Sequence, residues 1–300
     1  MQLDISKHEV IDVIKNTHID DKRKEESIKQ VSDSPSLGKF YLDAVVNIDL
    51  AIKDAQSRTW KALKLEPKFN IPMEQTQNIL EKFAKSKVTL VILHVDLVGS
   101  TKLSMILPVE RVATIIQTFT QEMSLIVSAY GGYVFKYVGD AILAFFIGSS
   151  DNNNNNNLYL SCTNAVNCAR SMIKIMQQGI NPILNEYDYP EMGVRVGIDV
   201  GENAVVQYGW ASHTYTIEED NKQIIKKPHL DVLGYTISIA SKMTAFAKPD
   251  QIVIGQSVYD ILDNGQKSDF KELTINKDDW NYVNPTTSDG IYCLYGSLLR

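Results

Sequence analysis

Two aspartates stand where their type and spacing would do chemistry. Asp96 ends the apolar run VTLVILHVD and is followed by Leu-Val-Gly-Ser-Thr. Asp140 sits in the Gly139-Asp140 turn of YVFKYVGDAILAFFI. Two carboxylates held side by side repel unless a cation lies between them. Hard oxygens of this kind suit Mg²⁺ or Mn²⁺, with substrate phosphates completing the coordination. A pair of ions so held can stabilise both the attacking and the leaving oxygen of an in-line displacement. Beside Asp96, the stretch Gly99, Ser100 and Thr101 opens a helix, whose free N–H groups and positive dipole end favour a polyphosphate. Either aspartate alone reads as a cap or a turn residue; the pair in this order points to metal-assisted phosphate chemistry.

The elements that would position them follow from periodicity. Residues 88–96 form a continuous β-branched and apolar run, the mark of a strand buried on both faces. A single long helix is expected from GSTK to Tyr130, carried by Pro108, Val109, Val112, Ile115, Ile116, Phe119, Met123, Ile126 and Val127 at helical spacing. Gly131-Gly132 stops it. Residues 133–147 read as a hairpin around Gly139-Asp140. The asparagine run 151–157 reads as a polar loop, and Leu158 to Ile183 as a helix. Strands are expected over 192–201 and 203–209, then a polar insertion over 211–229 and a helix over 234–247. A short strand and helix in PDQIVIGQSVYDIL and a closing strand in GIYCLYG complete the chain. The order β-α-β-β-α-β is the ferredoxin-like, α+β pattern, an antiparallel sheet with two helices on one face. In that order Asp96 and Asp140 fall on neighbouring central strands.

Residues 1–86 precede this domain of 87–300 and read as a helical appendage with balanced charge. HEVIDVIKNT places Val10, Ile11 and Ile14 on one helical face, SDSPSLGK is a break, and Tyr41 to Leu65 is amphipathic. NIPMEQTQNILEKFAKSK reads as a short helix feeding the next domain. The appendage is either a linker or a dimerisation or sensor element.

Composition limits the function classes. The 300 residues are 44% hydrophobic, 22% charged and 9% aromatic, with a formal charge of −6. That is an ordinary globular balance, which excludes wholesale disorder and gives no broad basic surface for nucleic acid. Cys162, Cys168 and Cys293 form no CxxC pair and no disulfide framework, so reduced, buried thiols are expected. No apolar run reaches the ~18 residues of a membrane span. The first residues lack the apolar core of a signal peptide. A cytoplasmic location is therefore expected.

The motifs HVDLVGST, YGGYVFKYVGDAILAFF, VRVGIDVGENAVVQYG, LDVLGYTISIASKM and KPDQIVIGQSVYD resemble, in order, those of the class III nucleotidyl cyclase catalytic domain. The resemblance covers residues 88–263. It implies the ferredoxin-like core already read from the pattern, and a homodimer with active sites at the interface. It also implies two divalent cations on Asp96, Asp140 and the Leu97 backbone carbonyl. Lys136 matches the lysine that reads adenine, and Asp231 the aspartate that accepts from the adenine amino group. Adenine presents an acceptor N1 beside a donor N6, which a Lys and an Asp complement, whereas guanine reverses that edge. The resemblance thus implies an adenylyl cyclase that converts ATP to 3′,5′-cyclic AMP and pyrophosphate. Two positions depart from the family's V-N-x-A-x-R helix: Ser238 replaces the ribose-orienting Asn, and Lys242 replaces the transition-state Arg. Lys keeps the charge but not the planar fork. The alternative reading is therefore a catalytically weak cyclase-homology domain that binds nucleotide as a regulatory module. No Leu-Lys-Gly segment precedes GIYCLYG, and Lys277 does not replace its lysine by spacing. His94 reads as a satisfied core histidine and Asp199 as a strand residue bonded locally. His213 and His229 have no metal-ligand spacing.

Overall fold

The computed structural model describes residues 46–65, 69, 74–148, 155–218, 221–284 and 290–299. The helix expected in HEVIDVIKNT, the break at 32–39 and residues 151–154 of the asparagine run lie outside them. The first helix described, α1 (Ile48–Lys64), is capped by Asn47, whose side chain accepts from the Leu50 N–H at 3.1 Å. It buries Ile52, Ala55, Thr59, Ala62 and Leu63. A short helix, α2 (Glu74–Glu81), leads into strand β1 (Lys87–Val98).

The sheet is built around β1. Helices α3 (Ser100–Ile106) and α4 (Val109–Ala129) follow it, then the hairpin β2 (Tyr133–Val138) and β3 (Ala141–Ile147). Helix α5 (Asn155–Lys174) runs into a π-helical segment (Ile175–Ile180) and α6 (Asn181–Asn185). Strands β4 (Gly193–Glu218) and β5 (Asn221–Leu233) precede α7 (Tyr235–Met243) and a 3₁₀ turn (Thr244–Phe246). Strand β6 (Gln251–Gly255), α8 (Gln256–Ile261), α9 (Asn264–Lys267), β7 (Phe270–Glu272) and β8 (Leu294–Ser297) close the chain. The strand order is β2-β3-β1-β4-β6-β8-β7, with β5 paired to β4. β1 is antiparallel to both β3 and β4, as the ferredoxin-like order requires.

Strand alternation divides the core into two layers. Val91, Leu93, Val95 and Leu97 of β1 pack with Phe119, Met123 and Val127 of α4 and with Cys162, Ala165 and Met172 of α5. Leu90 and Ile92 join Leu80 of α2, Phe135, Leu230, Val232 and Ala240 of α7 in a second cluster. The helical layer also holds α1. Arg58 donates from Nε and Nη2 to the two carboxylate oxygens of buried Glu122 on α4, at 2.7 and 2.8 Å. Arg111 Nη1 donates to the Leu63 carbonyl at 2.8 Å.

Four elements differ from the sequence expectation. The long helix after GSTK is two helices, because Leu107 precedes Pro108 and is extended at φ −107°, ψ 152°. The two strands over 192–201 and 203–209 are one strand. The polar stretch after them is not an irregular insertion: it forms a two-stranded ribbon, registered from Ala204–Leu233 to Glu218–Asn221. Lacking an apolar alternation, it gave no strand signal. Helix α5 begins at Asn155, within the asparagine run. Among the described residues no helix is long and apolar enough to cross a membrane.

Candidate active site

The β1 register brings the two aspartates to one end of the sheet. The last registered β1–β3 pair is Val95 with Ile142. One step further lie Asp96 on β1 and Ala141 on β3, and Asp140 precedes Ala141 in the turn. Asp96 is half-buried and faces Arg195, its registered partner on β4. The Arg195 guanidinium donates to Asp96 Oδ2 from Nη2 and, at 3.1 Å, from Nε. Gly99 caps α3 with φ +99°, a left-handed conformation that favours glycine, and no side chain caps this helix. Ser100 and Thr101, the first residues of α3, thus start the helix without a side-chain cap, four and five residues after Asp96. Leu97 buries its side chain on the opposite face, and its backbone is registered with Val194.

Asp96, Asp140, the Leu97 carbonyl and phosphate oxygens are a hard-oxygen donor set of the kind Mg²⁺ or Mn²⁺ takes. Among the described residues no three His, Cys, Asp or Glu side chains cluster as a metal cage. An ion here would therefore draw on backbone and phosphate oxygens as well as carboxylates. His94 shares the Asp96 face of β1, and burial lowers its basicity. Among the described residues its buried Nδ1 has no hydrogen-bond partner, which differs from the satisfied core histidine expected.

Lys136 and Asp231, 95 residues apart in sequence, meet. Lys136 Nζ on β2 donates to both Asp231 oxygens on β5, at 3.0 and 3.1 Å. It also lies 4.4 Å from the centre of the Phe135 ring. Asp231 Oδ1 accepts from the Val232 N–H at 2.7 Å, which fixes the carboxylate. The lysine keeps 41% of its side chain exposed and the aspartate 18%, so the pair is open at one side to a ligand.

Ser238 and Lys242 lie one turn apart on the exposed side of α7, opposite Thr236, Ile239, Ala240 and Met243. Lys242 Nζ sits 5.7 Å from the centre of the Tyr282 ring. Tyr282 is held by its carbonyl, which accepts from the Tyr292 N–H at 2.7 Å. Sequence reasoning missed Arg195, because only the antiparallel register of β1 with β4 sets it against Asp96. Asp199, read as a strand residue bonded locally, is fully buried and accepts from the hydroxyl of distant Tyr292 at 2.6 Å. Burial pushes this carboxyl up to about 7. Cys162 and Cys168 are free and buried, as expected, whereas Cys293 is only partly so.

This sheet order, with helices α4 and α5 on one face and α7 on the other, is the fold of a nucleotidyl cyclase catalytic domain. The adenylyl cyclase CyaB from P. aeruginosa has it: the match covers 72% of this chain and 96% of that one, with a TM-score of 0.50 at 18% identity. The family model of the adenylate and guanylate cyclase catalytic domain matches residues 220–279. The class III resemblance read from the sequence is thus borne out. A cytidylate cyclase from Escherichia coli is 29% identical over 172 residues, and one from Staphylococcus aureus is 26% identical over 185. These alignments take in 57% and 62% of this chain but only 35% and 40% of those relatives.

Proposed function

We propose that the chain is a nucleotidyl cyclase for triphosphates that carry an amino base, with CTP and ATP as the candidate substrates. The observation that supports this reading is the Lys136–Asp231 pair, closed at 3.0 and 3.1 Å. A lysine donor beside a carboxylate acceptor complements a ring nitrogen acceptor next to an exocyclic amine. Adenine offers that edge at N1 and N6, and cytosine offers the same edge at N3 and N4. Guanine and uracil present the reverse. The pair therefore separates amino bases from keto bases and does not by itself separate ATP from CTP. Similarity to relatives named cytidylate cyclases favours CTP.

In the reaction, the ribose 3′-oxygen bonds to the α-phosphorus, the bond to pyrophosphate breaks, and the 3′-hydroxyl gives up its proton. Lys136 and Asp231 bind the base and fix which face of the ribose approaches. Asp96 and Asp140 would hold two divalent cations, which supply charge neutralisation and a more acidic 3′-hydroxyl. Arg195 sets a forked, always-charged donor against Asp96, where phosphate oxygens would lie. Lys242 carries charge toward the α-phosphate, and Ser238 offers a short hydroxyl to the ribose. Asp96 and Asp140 of one subunit would face the base-reading groups of a second copy, in a homodimer working in the cytoplasm.

The test is incubation of the purified chain with CTP, ATP, GTP and UTP, each with Mn²⁺ or Mg²⁺, followed by assay of the four cyclic monophosphates. Cyclic CMP or cyclic AMP is the expected product. Cyclic GMP or cyclic UMP as the main product would overturn the base reading. The second reading, a nucleotide-binding regulator, is favoured by one observation: Lys242 rests near Tyr282 and has no forked head for a phosphate. Tight binding of an amino-base triphosphate with no turnover would establish that reading instead.

A further inference from the structure

Helix α2 lies upstream of the motifs that carry the chemistry, yet it touches both strands that bear the Lys136–Asp231 pair. Thr76 Oγ1 donates to the Val134 carbonyl at 2.6 Å, and this threonine is 2% exposed. Val134 stands two residues before Lys136, where the β2–β3 register shifts. The next residue, Gln77, meets β5. Its Nε2 donates to the Leu230 carbonyl at 3.1 Å, and its Oε1 accepts from the Leu230 N–H at 3.0 Å. Leu230 immediately precedes Asp231. Gln77 thus satisfies both backbone groups of one residue, as a neighbouring strand would. Below these contacts Leu80 is fully buried against Phe135, Leu230 and Val232.

Adjacent residues of one helix therefore fasten two strands that are not paired with each other in the sheet. Among the described strands β2 is at one edge of the sheet, and β5 pairs with β4 alone. Apart from the sheet path through β3, β1 and β4, α2 ties the two strands together beside the Lys136–Asp231 ion pair, which a bound base must open. Misplacement by about 1 Å at such a site can cost two orders of magnitude.

We propose that α2 is a splint for the base-reading pair, in which Thr76 and Gln77 act as positioning residues that set base selectivity. This rests on the reading of Lys136 and Asp231 given above, and it assigns α2 a role in specificity. Held by the splint, the two strands keep the amine-acceptor and ring-nitrogen-donor positions at the spacing of an amino base after the ion pair has opened. The expected signature is loss of discrimination with little loss of turnover, because neither residue reaches the phosphates.

The experiment uses the full chain and compares the parent, Lys136→Ala, Gln77→Ala, Thr76→Val and Thr76→Ser. Two quantities are read for each: kcat and KM with the preferred amino-base triphosphate and with GTP, and the affinities for both by calorimetry with Mn²⁺. Gln77→Ala is expected to lower the amino-base to GTP ratio by about tenfold, through KM and affinity, with kcat on the preferred substrate within about twofold. Thr76→Val is expected to act in the same direction, and Thr76→Ser, which keeps the hydroxyl, to restore the ratio. If Gln77→Ala does not fold, Gln77→Glu replaces it, since the carboxylate keeps the acceptor and places an oxygen against the Leu230 carbonyl. An unchanged ratio in a folded Gln77 variant, with the ratio lost in Lys136→Ala, overturns the splint and leaves the base reading intact. An unchanged ratio in Lys136→Ala overturns the base reading, and the splint with it.

Discussion

At the scale of single residues, Asp199 shows how burial and partners set a titration. It is fully buried; one carboxylate oxygen accepts from Tyr292, and the other has no hydrogen-bond partner among the described residues. Burial raises its pKa from 3.8 to about 7, against the opposing pull of the Tyr292 hydrogen bond. The sign follows from which state holds the proton. The folded chain keeps it through a range in which the unfolded chain has released it. Stability tied to neutral Asp199 is therefore full below about pH 4 and is lost as the pH rises to about 7, with an upper bound of roughly 4 kcal/mol. Asp199→Asn is expected to flatten that decline and to exceed the parent in stability above pH 7, since Tyr292 can still donate to the amide oxygen. Chemical denaturation at pH 5, 6, 7 and 8 checks this; parallel curves for the two proteins would refute it. The sequence marked Asp96, Asp140, Lys136 and Asp231 through their motifs. It could not mark Asp199 or Arg195, because their roles come from Tyr292 and Asp96, 93 and 99 residues away.

At the scale of elements, what was legible depended on whether an element's own pattern decides it. β1, the β2–β3 hairpin and α7 carry their periodicity in sequence, and the structure keeps them. The Leu107-Pro108 break was equally present in the sequence, but the apolar spacing beyond Val109 continued the helical phase and masked it. The ribbon of β4 and β5 was hidden because its sequence carries no apolar alternation. Close approach of elements is likewise visible only in three dimensions. Helix α7 crosses β4 at Gly197, where an added methyl would overlap the Ala240 carbonyl. A backbone group cannot rotate out of the way, so Gly197→Ala must lift the helix that presents Ser238 and Lys242. It is expected to cost about 1–3 kcal/mol in stability and to lower turnover more than nucleotide affinity. Thermal melting with steady-state kinetics checks both parts. Unchanged kcat in a folded Gly197→Ala protein would show that the exact seat of α7 does not matter to the chemistry.

At the scale of the whole molecule, the candidate groups fall into two sets. Asp96, Asp140 and Gly99–Thr101 lie at one end of β1, whereas Lys136 with Asp231, and Ser238 with Lys242, are carried by β2, β5 and α7. Around the second set the chain exposes Tyr208, Trp210, Leu233 and Tyr235, at 62%, 64%, 49% and 41%. Large apolar side chains left exposed on the elements that carry these polar groups are what a subunit interface would cover. A two-fold dimer that buries them would set the metal-binding end of one copy against the base-reading end of the other and make two equivalent sites. Asp140→Ala disables one half of each site, and Lys242→Ala disables the other half. Each variant alone is then expected to be nearly inactive. Mixed in equal amounts and allowed to exchange, half of the dimers are hybrids with one intact site and one doubly damaged site. Activity is then expected to return to about a quarter of the parent's. Absence of any gain, with subunit exchange demonstrated by mass on differently tagged chains, would place the whole site within one chain. It would also leave the exposed Tyr208, Trp210, Leu233 and Tyr235 without a catalytic reason to be covered.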